Sequence, residues 1–173
     1  MNQRLARWRL VDEALTGRAS ALVQSSARRW LAWLLAHSGD SQWWLAAGLL
    51  LWWLGEGRWR MVGVRIASLT LVAGLGSTVL KRLLRRPRPN GDAGLLYLPF
   101  DRYSFPSGHA TRVGGLVIVL GAVAPPWGAP ALLVWGVAVG VSRVALGVHY
   151  AADVAAGWFL GLLLGFVLLT FLP

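Results

Sequence analysis

The sequence predicts an all-α, polytopic membrane helix bundle with about five transmembrane helices and one amphipathic helix near its N-terminus. The chain has 173 residues, of which 56% are hydrophobic and only 14% are charged, whereas soluble domains carry roughly 25% charged residues. Long apolar segments alternate with short polar turns. Eleven tryptophans fit the enrichment of this residue at membrane interfaces.

The first element is predicted between residues 13 and 36, where apolar side chains recur at helical spacing and several arginines fall on the opposite side. An amphipathic pattern with so many arginines is typical of a helix that lies in the membrane interface. We therefore divide the chain into an N-terminal interfacial segment, residues 1–40, and a transmembrane domain, residues 41–173. If residues 13–36 instead cross the bilayer with snorkelling arginines, the protein has six spans.

Five apolar segments follow, and each predicts a membrane helix; they are residues 43–54, 61–80, 113–124, 129–146 and 152–172. A span needs about twenty residues, so the first of these helices is expected to extend beyond its apolar segment. A turn is predicted at residues 57–60, and Arg82–Phe105 is predicted to form a long polar loop. Glycines within the segments favour close helix packing; they are Gly74, Gly76, Gly114, Gly115, Gly136, Gly140, Gly157, Gly161 and Gly165.

Three polar motifs lie beside or within the apolar segments. They are Lys81 with Arg88-Pro89, then Pro-Ser-Gly-His at residues 106–109, then Ser142-Arg143 with His149 and Asp153. Ionisable side chains at membrane depth indicate a functional site. Cations, two histidines and an aspartate, in a chain without cysteine, suggest chemistry on an anionic group such as phosphate.

The third motif places His149 and Asp153 four residues apart, so on a helix they would share one face. The carboxylate could then accept the proton of one ring nitrogen and leave the other nitrogen free to act as a nucleophile or base. Taken alone, such a pair is more often a structural contact. Its position after Arg143 and a complete second motif favours the catalytic interpretation.

The second motif precedes a predicted helix, whose free N–H groups and dipole would suit a phosphate group. Gly108 would allow close approach of the backbone, and His109 could donate a proton to a leaving alkoxide. A histidine at a helix start is otherwise commonly a surface residue.

Positive charges surround the predicted site. Lys81, Arg88 and Arg143 could stabilise the oxygens of a phosphoryl group in its transition state. For Arg82, Arg85 and Arg86 we assign no catalytic role, because anchoring by the positive-inside rule explains them adequately.

In pattern form the motifs read K-x6-R-P, P-S-G-H and S-R-x5-H-x3-D. The chain thereby resembles the type 2 phosphatidic acid phosphatase (PAP2) superfamily, which also contains the vanadium haloperoxidases. All three motifs are complete and in the family's order from Lys81 to Asp153. The apolar helices extend the resemblance to roughly residues 42–172, whereas residues 1–40 carry none of it.

The resemblance implies a role for each motif residue. His149 attacks phosphorus and forms a phosphohistidine, Asp153 orients it, and His109 protonates the leaving group. The phosphate is cradled by Lys81, Arg88, Ser107, Gly108 and Arg143. No metal or other cofactor is needed, and the few scattered carboxylates suggest no magnesium site.

Three other interpretations remain. A vanadium haloperoxidase-like enzyme would hold vanadate at the same site, but those proteins are soluble and much larger. A hydrolase with Ser107 as nucleophile would lack the Gly-x-Ser-x-Gly elbow. A non-catalytic lipid-binding membrane protein would leave His109, His149 and Asp153 without a role.

The expected partners are the lipid bilayer and a membrane lipid phosphate, such as a polyprenyl phosphate or diphosphate, phosphatidic acid or phosphatidylglycerophosphate. Among these we favour an isoprenoid carrier. The net charge of +10 does not indicate nucleic-acid binding, because the arginines flank apolar spans. With five spans, an extracytoplasmic site places the basic N-terminus outside, against the positive-inside rule; a sixth span removes the conflict. We expect an integral cell-membrane protein whose active site faces outward.

Overall fold

The structure, a computed structural model, describes residues 3–89 and 102–172. Within these ranges all of its regular secondary structure is α-helical, which confirms the predicted all-α class. The helices are α1 (Gln3–Ala21), α2 (Ser26–Ser38), α3 (Ser41–Leu54), α4 (Arg58–Leu84), α5 (Gly108–Gly121), α6 (Gly128–Ala145) and α7 (Ala151–Phe171).

Three of the described helices, α4, α6 and α7, are long and apolar enough to cross a membrane. Helices α3 and α5 correspond to two further predicted spans but have 14 residues each, fewer than the roughly twenty that a span needs. As expected, α3 begins before its apolar segment, at Ser41. The number of spans stays a prediction.

The predicted continuous helix over residues 13–36 is wrong, because the chain leaves the helical conformation between α1 and α2. Ser25 caps α2, and its hydroxyl accepts a hydrogen bond from the backbone N–H of Arg28 at 3.4 Å. The guanidinium of Arg28 also donates to the carbonyl of Leu22 at 3.1 Å. A serine that caps the second helix in this way competes with continuation of the first. The interfacial position of these helices stays a prediction.

Two predicted boundaries around α4 are also wrong. The turn expected at residues 57–60 ends earlier, because α4 begins at Arg58 and the chain reverses at Gly57, whose φ of 49° favours glycine. At its other end α4 runs to Leu84, so the first residues of the predicted polar loop are helical. Residues 90–101 of that loop lie outside the described residues.

Helices α5 and α7 pack with their backbones in close contact. A Cβ atom at Gly157 would lie 2.6 Å from the carbonyl oxygen of Ser107, and one at Gly165 would lie 2.8 Å from that of Gly115. At Gly161 it would overlap the carbonyl oxygen of Thr111. The predicted role of glycine in close helix packing is confirmed at these three positions.

Not every predicted glycine contact is present. Among the described residues, a Cβ atom at Gly74 or Gly76 would meet no atom within 4 Å, so the predicted packing role is wrong for both within this part of the chain. The apolar core lies nearer the start of α4, where Ile66 and Leu69 pack with Leu116 of α5.

The order of the helices places the three motifs at one end of the bundle. Helices α4 and α6 end there, and α5 and α7 begin there. Backbone hydrogen bonds hold these chain segments together at that end. Ser104 donates from its backbone N–H to the carbonyl of Arg86 at 2.9 Å, Ser107 to that of Asp153 at 3.0 Å, and Val148 to that of Arg143 at 3.3 Å.

Candidate active site

His149 and Asp153 lie side by side in the interior of the protein. Both side chains are buried, and Nδ1 of the histidine is 3.7 Å from Oδ2 of the aspartate. This distance is longer than a hydrogen bond, although catalytic hydrogen bonds commonly shorten when substrate binds. The expectation that both residues share a helix is wrong, because α7 begins at Ala151 with Tyr150 as its N-cap. The pair is formed by a loop residue and the first turn of α7.

Asp153 is held through both of its carboxylate oxygens. The backbone N–H of Tyr150 donates to Oδ2 at 2.9 Å, as part of a capping box at the start of α7. The guanidinium of Arg86 donates from Nη1 to Oδ1 at 2.7 Å. The orientation of the carboxylate toward His149 is therefore fixed on both sides.

The second motif forms the start of α5. Ser107 is its N-cap and is fully buried, and its hydroxyl accepts a hydrogen bond from the backbone N–H of Ala110 at 3.5 Å. A Cβ atom at Gly108 would lie 3.0 Å from the hydroxyl oxygen of Ser77, so glycine allows this close approach to α4. The hydrogen bond from the backbone N–H of Ser107 to the carbonyl of Asp153 places this helix start beside the first turn of α7 as well.

His109 has a carboxylate partner that the motifs did not predict. Its Nε2 lies 2.6 Å from Oδ1 of Asp40, between α2 and α3. Burial by itself would raise the pKa of Asp40, but the hydrogen bond and charge of His109, with the charges of His37 and Arg143, lower it below its ordinary value. One turn further along α5, buried Arg112 donates to the carbonyl of Gly39.

The three predicted phosphate-binding cations lie at the same end of the bundle. Lys81 is buried in the last turn of α4, and Arg143 is buried in the last turn of α6. Arg88 is half-buried and donates from Nη1 to the carbonyl of Val148, next to His149, at 2.7 Å. The site therefore combines a buried histidine–aspartate pair with three cations, and positive charge of this kind can stabilise a transferring phosphoryl group.

Sequence reasoning missed the role of Arg86 and the contributions of the N-terminal helices. Arg86 contacts both Asp153 and Asp12, which are 67 and 74 residues away along the chain, so no local spacing indicated the contacts. The neighbouring Arg85 differs, since its Nε donates locally to the carbonyl of Arg82. Burial would lower the pKa of Arg86, but the hydrogen bond to Asp12 and the charge of Asp153 raise it above its ordinary value.

With three described helices long and apolar enough to cross a membrane, the fold is that of a helical membrane protein. The model of the PAP2 superfamily matches residues 62–173. The match covers well over half of the chain, and the chain therefore belongs to the PAP2 superfamily.

Relatives that are named as phosphatases are similar to this chain over most of its length. A lipid A 1-phosphatase of Rhizobium etli is 29% identical over 159 residues, which cover 79% of this chain and 68% of the relative. A decaprenylphosphoryl-5-phosphoribose phosphatase of Mycolicibacterium smegmatis is 36% identical over 152 residues, which cover 85% of this chain and 77% of the relative.

The fold is also similar to that of a solved membrane protein. The crystal structure of a transmembrane PAP2 type phosphatidylglycerolphosphate phosphatase from Bacillus subtilis matches with a TM-score of 0.74 and 28% identity, over 95% of this chain and 86% of that one. Together these similarities support a phosphoric ester hydrolase of the membrane.

Proposed function

We propose that this protein is an integral membrane lipid phosphatase that hydrolyses a phosphomonoester or diphosphate lipid through a phosphohistidine intermediate. The observation that carries the proposal is the contact between the second and third motifs, in which the backbone N–H of Ser107 donates to the carbonyl of Asp153 at 3.0 Å. This contact brings the helix start that bears His109 to the buried pair of His149 and Asp153. Lys81, Arg88 and Arg143 supply the positive charge for a bound phosphate.

In the first step, Nε2 of His149 attacks phosphorus while Nδ1 faces Asp153. A P–N bond forms and the P–O bond to the lipid breaks. The departing oxygen takes a proton from His109, so the lipid leaves as an alcohol, or as a phosphate when the substrate is a diphosphate. Asp153 stabilises the positive charge that develops on the ring of His149.

In the second step, water attacks the phosphohistidine. His109, now unprotonated, removes a proton from the water while the P–N bond breaks and its electrons return to His149. Inorganic phosphate leaves and both histidines recover their starting states. Throughout, the cradle of Ser107, Gly108 and the three cations stabilises the equatorial oxygens of the transferring phosphoryl group. All of these groups are protein side chains or backbone, so the mechanism uses no metal.

For the substrate we favour a polyprenyl phosphate or diphosphate, with phosphatidic acid and phosphatidylglycerophosphate as the other candidates. The relative in Mycolicibacterium smegmatis is named for a decaprenyl lipid, which supports this choice. A site at one end of an apolar bundle suits a headgroup that reaches the interface while its chain stays in lipid. We place that site on the extracytoplasmic face of the cell membrane.

Phosphate release from a panel of these lipids in detergent tests the proposal. The wild-type protein should release phosphate from at least one lipid, and His149→Ala should release none while keeping its elution volume in size exclusion. Wild-type protein denatured in alkaline detergent during turnover should also carry a base-stable phosphate that acid removes and that His149→Ala lacks. Substantial turnover by His149→Ala would contradict the nucleophile assignment.

A further inference from the structure

Arg86 lies between two carboxylates and binds both of them. Its Nη1 donates to Oδ1 of Asp153 at 2.7 Å, and its Nη2 donates to Oδ2 of Asp12 at 2.6 Å. The side chain of Asp153 is completely buried, whereas that of Arg86 is 26% exposed. A buried carboxylate remains ionised only with a charged or hydrogen-bonded partner, and Arg86 is such a partner for Asp153.

Asp12 binds the nitrogen of Arg86 that does not contact Asp153. Although it belongs to α1, its Oδ1 accepts a hydrogen bond from the backbone N–H of Ala152 at 2.9 Å. This N–H is in the first turn of α7, where a carboxylate is also favoured by the helix dipole. The carboxylate of Asp12 thus binds Arg86 through one oxygen and the start of α7 through the other.

Arg86 makes a third contact that limits its freedom. Its guanidinium carbon lies 4.1 Å from the ring centroid of Tyr150, a distance at which cation and ring attract each other. Tyr150 follows His149 directly and caps α7. The planar guanidinium is therefore held by two carboxylates and one aromatic face, an arrangement that suits arginine and not lysine.

We propose that Arg86 is a positioning residue for the nucleophile pair and that Asp12 holds it in place. Arg86 keeps Asp153 ionised and turned so that Oδ2 faces His149. It contacts neither the substrate nor the reacting atoms, and it acts through Asp153. By this inference α1, which lies outside the three motifs, supports the catalytic centre. The inference rests on the proposed function of His149 and Asp153.

The proposal predicts a specific kinetic effect for Arg86→Ala. The kcat for phosphate release should fall on the order of 100-fold, because removing one partner of a buried ion pair leaves the other charge uncompensated. The KM should change by less than about threefold, since Arg86 does not bind the substrate. Arg86→Lys, which keeps the charge but loses the planar fork, should recover part of the kcat.

Asp12 and Arg86 should act as one unit. Asp12→Asn keeps an oxygen for the N–H of Ala152 but loses the charge that holds Arg86, and kcat should fall about tenfold. The double variant should be no slower than Arg86→Ala alone, within about twofold. Asp12 acts only through Arg86, so its loss has no further effect once Arg86 is absent. The matched control is Arg85→Ala, which removes an exposed arginine at the adjacent position and should leave kcat unchanged.

The experiment measures kcat and KM for these variants and for His149→Ala, on the lipid that the wild type hydrolyses best, after folding is checked by size exclusion in detergent. A kcat for Arg86→Ala equal to that of Arg85→Ala overturns the inference. So does an increase in KM at constant kcat, which would make Arg86 a substrate-binding residue. Multiplicative losses in the double variant would overturn the role of Asp12. Retained activity in His149→Ala would instead contradict the proposed function.

Discussion

His109 and Asp40 are joined by a hydrogen bond of 2.6 Å between Nε2 and Oδ1, although they are 69 residues apart along the chain. The lowered pKa of Asp40 keeps this carboxylate ionised, so it accepts the bond and the ring donates. A negative charge at this distance favours the protonated imidazole and opposes the effects of burial and of the charges of Arg143 and Arg112, which disfavour it. A general acid must hold its proton when the substrate binds, and Asp40 is placed to help His109 do so.

Asp40→Asn should therefore slow the enzyme. The amide keeps the shape of the side chain but does not stabilise a protonated ring, so we expect kcat at neutral pH to fall about tenfold with a small change in KM. The alkaline limb of the pH–rate profile should move to lower pH, because His109 loses its proton more readily. Steady-state kinetics across the pH range measure both effects.

The control for this variant is Glu56→Gln, which makes the same change at an exposed carboxylate in the turn between α3 and α4. It should not alter the profile. Faster turnover by Asp40→Asn would show that the carboxylate obstructs the site in the free enzyme and does not support His109.

The sequence predicted the helical class and the convergence of the motifs because both depend on local patterns. Apolar segments of about twenty residues predict membrane helices. Consecutive membrane helices run antiparallel, so the end of one helix lies at the same side of the bundle as the start of the next. Lys81 and Arg143 lie near helix ends, and His109 and Asp153 lie near helix starts.

The contacts of Arg86, Asp12 and Asp40 could not be predicted in this way. Arg82, Arg85 and Arg86 look alike in sequence, and only the end of α4 decides which of them turns inward. Asp12 and Asp40 flank an amphipathic segment whose periodicity indicates a helix but not where that helix packs on the bundle. Long-range ion pairs depend on tertiary geometry, and single-sequence patterns contain little information about it.

Gly161 should not tolerate a larger residue. A Cβ atom there would overlap the carbonyl oxygen of Thr111, so Gly161→Ala must push α7 away from α5. We expect a loss of roughly 1–3 kcal/mol in stability, as for overpacked cores, and a lower midpoint of thermal unfolding in detergent. Activity should fall as well, because the two helices carry the second and third motifs.

Gly76→Ala is the matched control. It makes the same substitution inside α4, but its Cβ atom would meet no atom of the described residues within 4 Å. Alanine favours the helix by up to about 1 kcal/mol over glycine, so the midpoint should stay unchanged or rise. Equal losses in both variants would contradict the proposed importance of the α5–α7 contact.

Chelators should leave the purified enzyme active, and vanadate should inhibit it. The proposed cradle consists of protein cations, so EDTA has nothing to remove. Vanadate can adopt the five-coordinate geometry of the transition state, and such analogues bind more tightly than the substrate. Phosphate release measured with EDTA, and separately with increasing vanadate, tests both parts. A preparation that EDTA inactivates and magnesium restores would contradict the metal-free mechanism.

The separate roles of His109 and His149 can be distinguished by the leaving group. Protonation of the departing oxygen matters most for a poor leaving group such as a lipid alkoxide, and least for a phenolate. General-acid catalysis contributes roughly 10²–10⁴-fold. We therefore expect His109→Ala to lose far more activity on a lipid monophosphate than on p-nitrophenyl phosphate, with a diphosphate lipid between them. His149→Ala should lose activity on all three, because the covalent step is gone.

The comparison requires that the soluble aryl phosphate enters the same site, and vanadate provides the check. Turnover of p-nitrophenyl phosphate by the wild type and by His109→Ala should be inhibited by vanadate at concentrations similar to those that block lipid hydrolysis. Equal fractional losses on all three substrates in His109→Ala would contradict the general-acid role. Such a result would assign His109 to phosphate binding, because weaker binding of the phosphoryl group slows the hydrolysis of every substrate alike.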